Sequence, residues 1–278
     1  MQLILIGGGQ RSGTTLLQTL LANALGSPNL PEAHILSDIL AAYKRAKEFG
    51  NKTSFFYPTD DSLLSFFRSF AERHVSDITA GSKPGTLVLK DPNFVLALDE
   101  AAALFPEAIR IVCMRDPRDI AASFVKIGQR QNETKPGKYE RRDLLFISKK
   151  ILASYQPLLA AAVPAGVVIV RYEDLASDPK GCLQALGRVT GLNLSLDRIE
   201  DAAWLDAPAR HEAAWISKLE GAKPSPASIG SFKQVLLGEE VAVVQRVCQP
   251  IMSQFAYAPT DDVEPGRWGR IGRFFRLR

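Results

Sequence analysis

Three basic side chains each follow a short apolar run that has the composition of a buried parallel strand. They are Arg11, Lys90 and Arg115, and the runs before them are residues 3–6, 86–89 and 109–114. The carboxyl ends of parallel strands share one edge of a sheet, and open α/β sheets bind ligands there, so we expect these cations to lie close together. Guanidinium and ammonium groups gathered at such an edge indicate an anionic ligand.

The first of these cations belongs to the glycine-rich stretch GGQRSGTT, residues 8–15. Between a strand and a helix, backbone N–H groups and the positive helix end converge on a phosphate or a related tetrahedral anion. A nucleotide-triphosphatase loop reads GxxxxGK[ST], but here Thr14 takes the lysine position, and the pattern GxGxxG fails because Ser12 replaces its last glycine. We interpret the stretch as an anion-binding loop in which Arg11 reaches the bridging oxygen of a group donor. A purely structural turn is the alternative.

The alternation of apolar runs with helical periodicity predicts the architecture that holds this loop. Strands are predicted at residues 3–6, 86–89, 109–114 and 167–170, and helices at residues 14–25, 37–49, 62–74, 95–104, 119–128, 143–162 and 179–190. The polar stretch 129–139 contains Pro136-Gly137 and is predicted to be a surface loop. Strands that alternate with helices predict a single α/β domain over residues 1–260, with a central parallel sheet flanked by helices.

Composition excludes several other classes of protein. The 278 residues are 46% hydrophobic and 23% charged, and the net charge of +4 is too small to indicate nucleic acid. Three cysteines without CxxC spacing and three scattered histidines predict neither a disulfide framework nor a metal site, and Cys113 is expected to be a buried thiol. The short apolar N-terminus and the lack of a long apolar run predict a cytoplasmic protein.

Residues 261–278 form a tail in which arginines alternate with aromatic and aliphatic residues. This mixture suits an acidic partner or an anionic membrane surface, which would give a peripheral position at the inner membrane. A partly disordered basic end is the alternative.

Three segments resemble, in the same order, the motifs of sulfotransferases that use 3′-phosphoadenosine 5′-phosphosulfate. Residues 10–15 are similar to the family's 5′-phosphosulfate loop, residues 114–123 (MRDPRDIAAS) to its 3′-phosphate motif, and residues 170–175 (VRYEDL) to its RYEDL segment. The resemblance implies the P-loop-like sulfotransferase fold, this nucleotide as donor, adenosine 3′,5′-bisphosphate as product, and no metal. It implies donor contacts from Gln10, Arg11, Ser12, Gly13, Thr14, Thr15, Arg115, Ser123, Tyr172 and Lys233.

Other roles for some of these residues are compatible with the sequence. Arg115 could pair with Asp116 or Asp119 rather than with a phosphate, and Arg118 is interpreted as a surface charge or as a partner of a donor-binding residue. Tyr172 could stack on the adenine, or it could be a core tyrosine whose hydroxyl group has a partner.

The finer resemblance is to the tyrosylprotein sulfotransferase branch. It implies that Glu32, in the context NLPEAH of residues 29–34, takes the proton of the acceptor hydroxyl. His34 is the second candidate for that role, and a glutamate that only stabilises a helix start is the alternative. Lys90 matches a lysine that stabilises the transition state, with a surface pair between Lys90 and Asp91 as the alternative.

Two further matches to this branch lie near the C-terminus. Ser217 resembles its active-site serine. Residues 228–233 resemble a segment that folds over the nucleotide, and Lys233 takes the phosphate-binding role if the register, which is open by one or two positions, is correct.

The acceptor is less constrained than the donor. The branch resemblance favours a peptide tyrosine over a glycan or a lipid, and a homodimer is a further expectation. A P-loop kinase or nucleotide hydrolase is disfavoured by Thr14 at the lysine position and by the lack of a clear Walker B aspartate. A non-catalytic nucleotide-binding scaffold is disfavoured because Arg11, Glu32 and Lys90 are all present.

Overall fold

The computed structural model describes residues 1–80, 85–134, 142–159, 163–199 and 224–260. In these residues, the strands are β1 (Gln2–Gly8), β2 (Thr86–Lys90), β3 (Ile109–Met114) and β4 (Val167–Arg171). They form one parallel sheet in the order β2-β1-β3-β4. Parallel strands need crossover connections, and helices supply them here.

Helices cover both faces of this sheet. They are α1 (Thr14–Leu25), α2 (His34–Glu48), α3 (Gly50–Thr53), α4 (Asp60–Ile78), α5 (Leu98–Leu104), α6 (Pro117–Thr134), α7 (Leu144–Leu159), α8 (Tyr172–Ser177), α9 (Pro179–Thr190), α10 (Phe232–Val235), α11 (Gly238–Val247) and α12 (Gln249–Gln254). Short 3₁₀ helices occur at Pro92–Ala97, Leu196–Ile199 and Pro226–Ser228.

Alternate residues of the central strands enter cores on opposite faces of the sheet. On one face, Ile4 and Ile6 of β1 pack with residues of α1, α8 and α9. On the other face, Leu3 and Leu5 pack with residues of α2, α4 and α5. The same face of β3 packs with α6, α7, α11 and α12. Since both strands are covered on both faces, β1 reads as a continuous apolar run and β3 as one after Arg110.

The strand register brings the chemistry-bearing residues to one edge. Ile6 of β1 is level with Lys90 at the end of β2, and Gly8 is level with Cys113 near the end of β3. Met114 is in turn level with Arg171 at the end of β4. The segments that follow the four strands therefore meet at the carboxyl edge, where ligands of open α/β sheets bind.

Most predicted elements are confirmed, and the differences have local causes. Helices α1 and α9 and strands β2, β3 and β4 agree with the prediction within one residue, and β1 extends two residues further than predicted, to Gly8. The loop predicted over residues 129–139 is wrong in its first part, because α6 continues to Thr134. Gly128, where the helix was predicted to end, lies inside α6, and no glycine or proline follows it before Pro136. Residues 135–141 lie outside the described residues.

Helix α2 begins three residues earlier than predicted, at His34 rather than at residue 37. Ala33, which precedes it, donates its amide to the Lys90 carbonyl oxygen at 2.9 Å. This bond attaches the start of α2 to the end of β2. Glu32 therefore lies just outside the helix, beside the carboxyl edge of the sheet.

Candidate active site

The glycine-rich loop connects β1 to α1 in a conformation that favours glycine at two positions. Gly8 and Gly13 have φ angles of 149° and 99°, and a Cβ atom on Gly13 would come within 2.3 Å of Tyr172 Cδ2. Gly13 is also the N-cap of α1, with no capping side chain, and the first turn of α1 has no acidic residue. The first N–H groups of α1 are therefore suited to bind an anion.

Gly13→Ala is expected to lower the free energy of unfolding by about 2–4 kcal/mol, because backbone strain at positive φ adds to a clash with the Tyr172 ring. Urea denaturation measures the change. Gly191→Ala is the matched control, since Gly191 has a φ of 73° but nothing within 4 Å of an added Cβ. It should lose only about 1 kcal/mol, and equal losses in the two variants would contradict the steric argument.

Hydrogen bonds tie this loop to the end of β3 and to α6. Arg11 Nε donates to Ser123 Oγ at 3.1 Å, and Arg115 Nη1 donates to the Arg11 carbonyl oxygen at 3.2 Å. Cys113 Sγ lies 3.0 Å from the Ser12 carbonyl oxygen, and burial raises the pKa of this thiol to about 12. The expectation of a buried Cys113 thiol is confirmed. The structure thus brings Arg11, Arg115 and Ser123 together.

Arg115 is almost fully buried in a fixed orientation. Its guanidinium lies over the Tyr172 ring, 4.2 Å from the centroid, and its Nη2 donates to the Ser228 carbonyl oxygen at 2.9 Å. The Tyr172 hydroxyl and Ser228 Oγ are 2.5 Å apart. Tyr172 is therefore a buried tyrosine with a hydroxyl partner, as in the second of its two predicted roles, and its ring supports Arg115.

Asp116 pairs with Arg118 and not with Arg115. The guanidinium of Arg118 binds both carboxylate oxygens of Asp116, the shortest contact being 2.7 Å, and it also donates to Gln245 Oε1 at 2.9 Å. Arg118 is only 6% exposed. The alternative pairing of Arg115 with Asp116 is therefore wrong, and so is the interpretation of Arg118 as a surface charge. The spacing of two residues at the start of α6 turns Arg118 back onto Asp116.

Asp119 holds the segment that passes over Arg115. Its carboxylate accepts hydrogen bonds from the amides of Gly230 (2.8 Å) and Phe232 (3.0 Å) and from Ser231 Oγ (3.2 Å). Burial raises the pKa of Asp119, and the Arg115 guanidinium opposes part of this rise. The three bonds from one side chain fix residues 230–232 against α6.

Asp119→Asn should release this segment, because an amide NH₂ group in place of one oxygen faces a backbone donor. A lost buried hydrogen bond costs about 1–3 kcal/mol, so the amides of residues 230–232 are expected to exchange their hydrogens about 10- to 100-fold faster. Hydrogen exchange with mass spectrometry measures this. Asp174→Asn, at an exposed aspartate, is the control, and similar exchange in both variants would contradict the role of Asp119.

Lys90 and Glu32 form an ion pair at the end of β2. Lys90 Nζ lies 2.6 Å from Glu32 Oε1, and the Lys90 side chain is fully buried while Glu32 is 30% exposed. The alternative of a surface pair between Lys90 and Asp91 is therefore wrong. Burying an ammonium is costly unless it is paired and hydrogen-bonded, and Glu32 supplies that partner.

His34 and Asp91 extend this pair. His34 Nε2 lies 3.4 Å from Glu32 Oε2, and its Nδ1 lies 2.7 Å from Asp91 Oδ2. Atoms of Glu32, His34 and Asp91 lie within 4.8 Å of one another, a spacing that a metal ion could bridge. The Lys90 ammonium already supplies positive charge to the Glu32 carboxylate.

The remaining predicted residues have different locations. Ser12 and Thr14 are buried in the loop and at the start of α1, and Thr15 is half-buried. Lys233 is exposed on α10, and the contact of the closing segment with Arg115 falls at Ser228 instead. Ser217 and the tail of residues 261–278 lie outside the described residues.

The sequence analysis did not identify Tyr155, which packs against the glycine-rich loop at Gly9. This fully buried side chain donates its hydroxyl to the Cys113 carbonyl oxygen at 3.1 Å, and a Cβ atom on Gly9 would come within 2.9 Å of its ring. Its apolar neighbours in α7 at helical spacing predict that it is buried, but they do not predict what it touches. Asp119 was considered only as a possible partner of Arg115, and Ser228 only as part of the segment of residues 228–233, so the contacts that each makes were missed.

Comparison with known proteins agrees with this geometry. The model of the sulfotransferase family matches residues 3–196. The chain belongs to the sulfotransferase family. It is therefore an enzyme of that family, and the matched range includes the loop, β2, β3 and β4 of this sulfotransferase. No curated protein matches it significantly.

Three solved structures share the fold of this sulfotransferase. A sulfotransferase domain from the curacin biosynthetic pathway is 19% identical, with a TM-score of 0.60 over 94% of this chain and 99% of that one. The sulfotransferase domain of the Synechococcus olefin synthase is 21% identical, with a TM-score of 0.55 over 92% and 94%. A sulfotransferase from Mycobacterium avium is 14% identical, with a TM-score of 0.51 over 95% and 78%.

In the part of the chain that the structure describes, no helix has the length and apolar character needed to cross a membrane.

Proposed function

We propose that this sulfotransferase transfers a sulfuryl group from 3′-phosphoadenosine 5′-phosphosulfate to an acceptor hydroxyl at the carboxyl edge of its sheet. One observation carries the proposal: the buried Lys90 ammonium lies 2.6 Å from the Glu32 carboxylate. The reaction needs a cation for the transferring group and a base for the hydroxyl. Both are in contact here, at the edge of the sheet that also carries the uncapped start of α1.

The residues of the loop suit the 5′ end of the donor. The first N–H groups of α1 and the Arg11 guanidinium bind the phosphosulfate, and Arg11 stabilises the bridging oxygen as negative charge develops on it. Gln10, Ser12, Gly13, Thr14 and Thr15 surround the same group.

Arg115 and Ser123 suit the 3′-phosphate. In the structure, both Nη atoms of Arg115 donate to neutral carbonyl oxygens, those of Arg11 and Ser228. A phosphate accepts stronger, charge-assisted hydrogen bonds from the same guanidinium. Tyr172 keeps the guanidinium plane in place, and Lys233 is a further candidate for phosphate contact.

During transfer, Glu32 accepts the proton of the acceptor hydroxyl while the acceptor oxygen forms its bond to sulfur. The bond between sulfur and the bridging phosphate oxygen breaks, and its electron pair stays on the phosphate next to Arg11. Lys90 stabilises the charge on the sulfuryl oxygens in the transition state. No step in this sequence requires a metal ion, and Ser217 remains a predicted further contact.

For the acceptor, the resemblance of Glu32 and Lys90 to the tyrosylprotein branch supports a peptide tyrosine. A second candidate is a hydroxyl on an apolar compound. Phe55 and Phe56, which follow α3, are 84% and 76% exposed and form an aromatic surface that an apolar compound could contact. The donor site is the same for both candidates.

Incubation with labelled phosphosulfate donor and a panel of tyrosine peptides, glycans, lipids and long-chain alcohols tests the proposal. Mass spectrometry detects the added sulfate, and transfer is expected to continue in the presence of EDTA. A phosphorylated product formed from ATP with magnesium would instead indicate the kinase alternative. Donor binding without transfer to any acceptor would favour the scaffold alternative.

A further inference from the structure

Glu32, His34 and Asp91 form a connected group in which His34 lies between the two carboxylates. This arrangement indicates that more than one of these residues can accept a proton. Asp91 is fully buried, Glu32 is partly exposed, and the His34 side chain is 67% exposed. The imidazole connects the two carboxylates, with Nδ1 next to Asp91 and Nε2 next to Glu32. A histidine that one carboxylate orients, and whose other nitrogen faces a second group, is the arrangement that proton-transfer sites use.

Asp91 is fixed independently of His34. Its Oδ1 accepts the amide of Asn93 at 2.8 Å and so caps the 3₁₀ helix Pro92–Ala97, and its own amide donates to the Ile6 carbonyl oxygen at 3.1 Å. The other oxygen, Oδ2, faces His34. In the described residues this buried oxygen has no hydrogen bond of good geometry, and because an ionised carboxylate only accepts hydrogen bonds, a proton on Nδ1 would satisfy it after a small rotation of the imidazole. Nε2 lies 3.4 Å from Glu32 Oε2, which is too long for a strong hydrogen bond, so its lone pair stays available for a proton.

Glu32 is a poor final location for the proton that it takes from the acceptor. The Lys90 ammonium, 2.6 Å from Oε1, stabilises the ionised carboxylate. We infer that His34 receives this proton from Glu32 Oε2 at Nε2, and that Asp91 stabilises the resulting imidazolium. The proton balance is simple: the acceptor oxygen loses one proton, Glu32 passes it on, and the exposed imidazole releases it to water.

This inference rests on the proposed function, in which Glu32 is the base. It adds two roles: His34 receives the proton from Glu32, and Asp91 is the positioning residue of His34. The charged groups around His34 are Glu32 on the preceding segment, Asp91 and Lys90 at the end of β2, and Asp38 one turn further along α2.

His34→Ala tests the relay in the full-length protein with labelled phosphosulfate donor and an accepted hydroxyl compound. We expect the turnover number to fall about 10- to 100-fold, within the range of general acid–base effects, while KM for the donor stays within about twofold. Because the side chain is largely exposed, truncation leaves a space that small bases from solvent can enter. Imidazole and its methyl derivatives should restore turnover, more strongly as their basicity increases, whereas sodium chloride at equal ionic strength should not.

Two variants separate this role from a structural one. Asp91→Asn keeps an oxygen that can cap Asn93 but places an NH₂ group against Nδ1, so turnover should fall and added imidazole should not restore it, because His34 still occupies its position. His74→Ala, a histidine on α4, is the control and should keep full turnover. Melting temperatures of the variants show whether each protein is folded.

The outcomes distinguish this inference from the proposed function. If Glu32→Gln abolishes turnover and His34→Ala retains it, Glu32 acts alone and the relay is wrong. The relay is also wrong if a folded His34→Ala protein is inactive and no base restores it. If Glu32→Gln itself keeps full turnover, the proposed base is wrong, whatever His34 does.

Discussion

Replacement of Glu32 by glutamine is expected to lower the turnover number by about 10²- to 10⁴-fold, the usual contribution of a general base. Donor binding should be unchanged, because Glu32 lies next to Lys90 and not in the glycine-rich loop. The protein should lose some stability but remain folded, since a glutamine oxygen can still accept the hydrogen bond from the Lys90 ammonium although it carries no charge. Initial rates with labelled donor, together with calorimetric binding of adenosine 3′,5′-bisphosphate, separate the two effects.

The chain offers a matched control for this experiment. Glu100 is also a largely buried glutamate that pairs with a lysine, with 2.7 Å between Lys47 Nζ and Glu100 Oε1, but this pair joins α2 to α5 away from the loop. Glu100→Gln should change stability slightly and leave turnover unchanged. If Glu32→Gln kept wild-type turnover, or if both variants lost activity equally, Glu32 would not be the base.

Arg115→Ala is expected to weaken binding of adenosine 3′,5′-bisphosphate by about 10²-fold or more, because a charge-assisted hydrogen bond contributes about 1.5–3 kcal/mol and a guanidinium can donate two. Arg115→Lys should recover only part of this affinity, since an ammonium keeps the charge but not the paired donors. Calorimetry with adenosine 3′,5′-bisphosphate and with adenosine 5′-monophosphate measures the effect. The loss should be large for the bisphosphate and small for the nucleotide without a 3′-phosphate.

Lys126 is the control for net charge. It is an exposed cation on α6, three residues after Ser123, so Lys126→Ala removes one positive charge without touching the loop. Its affinity for the bisphosphate should stay within about twofold of wild type. An equal loss for both nucleotides in the Arg115→Ala protein would show that Arg115 supports the loop and does not bind the 3′-phosphate.

The sequence predicts the strands, helix α1 and the proposed donor-binding residues well, because the patterns that indicate them are local. Short apolar runs bounded by glycine identify the strands, and Gly26 ends α1 with a φ of 64° at the position that the pattern indicates. Motif order then predicts that Arg11, Arg115 and Ser123 lie together, and the hydrogen bonds between them agree with that prediction.

The residues that hold the proposed donor-binding residues in place could not be predicted, because their contacts join distant parts of the chain. Asp119 binds residues more than 100 positions later, and Tyr155 reaches the strand end at Cys113 from α7. Nothing in the local pattern of α6 or α7 indicates these partners, since they depend on how the helices pack on the sheet. The contact between His34 and Asp91 was not predicted either, because α2 begins at His34 and not at residue 37 as the sequence pattern indicated.

The strand order also has a consequence for synthesis of the protein. β1 is translated first but pairs with β2 and β3, and its register partner for Gln2 is Thr86. At ribosomal rates of about 5–20 residues per second, β1 waits roughly 5 to 15 seconds for its first partner. During this time its apolar residues and unpaired backbone groups are a template for aggregation. We therefore expect the yield of soluble protein to depend on chaperones that hold the nascent N-terminal strand.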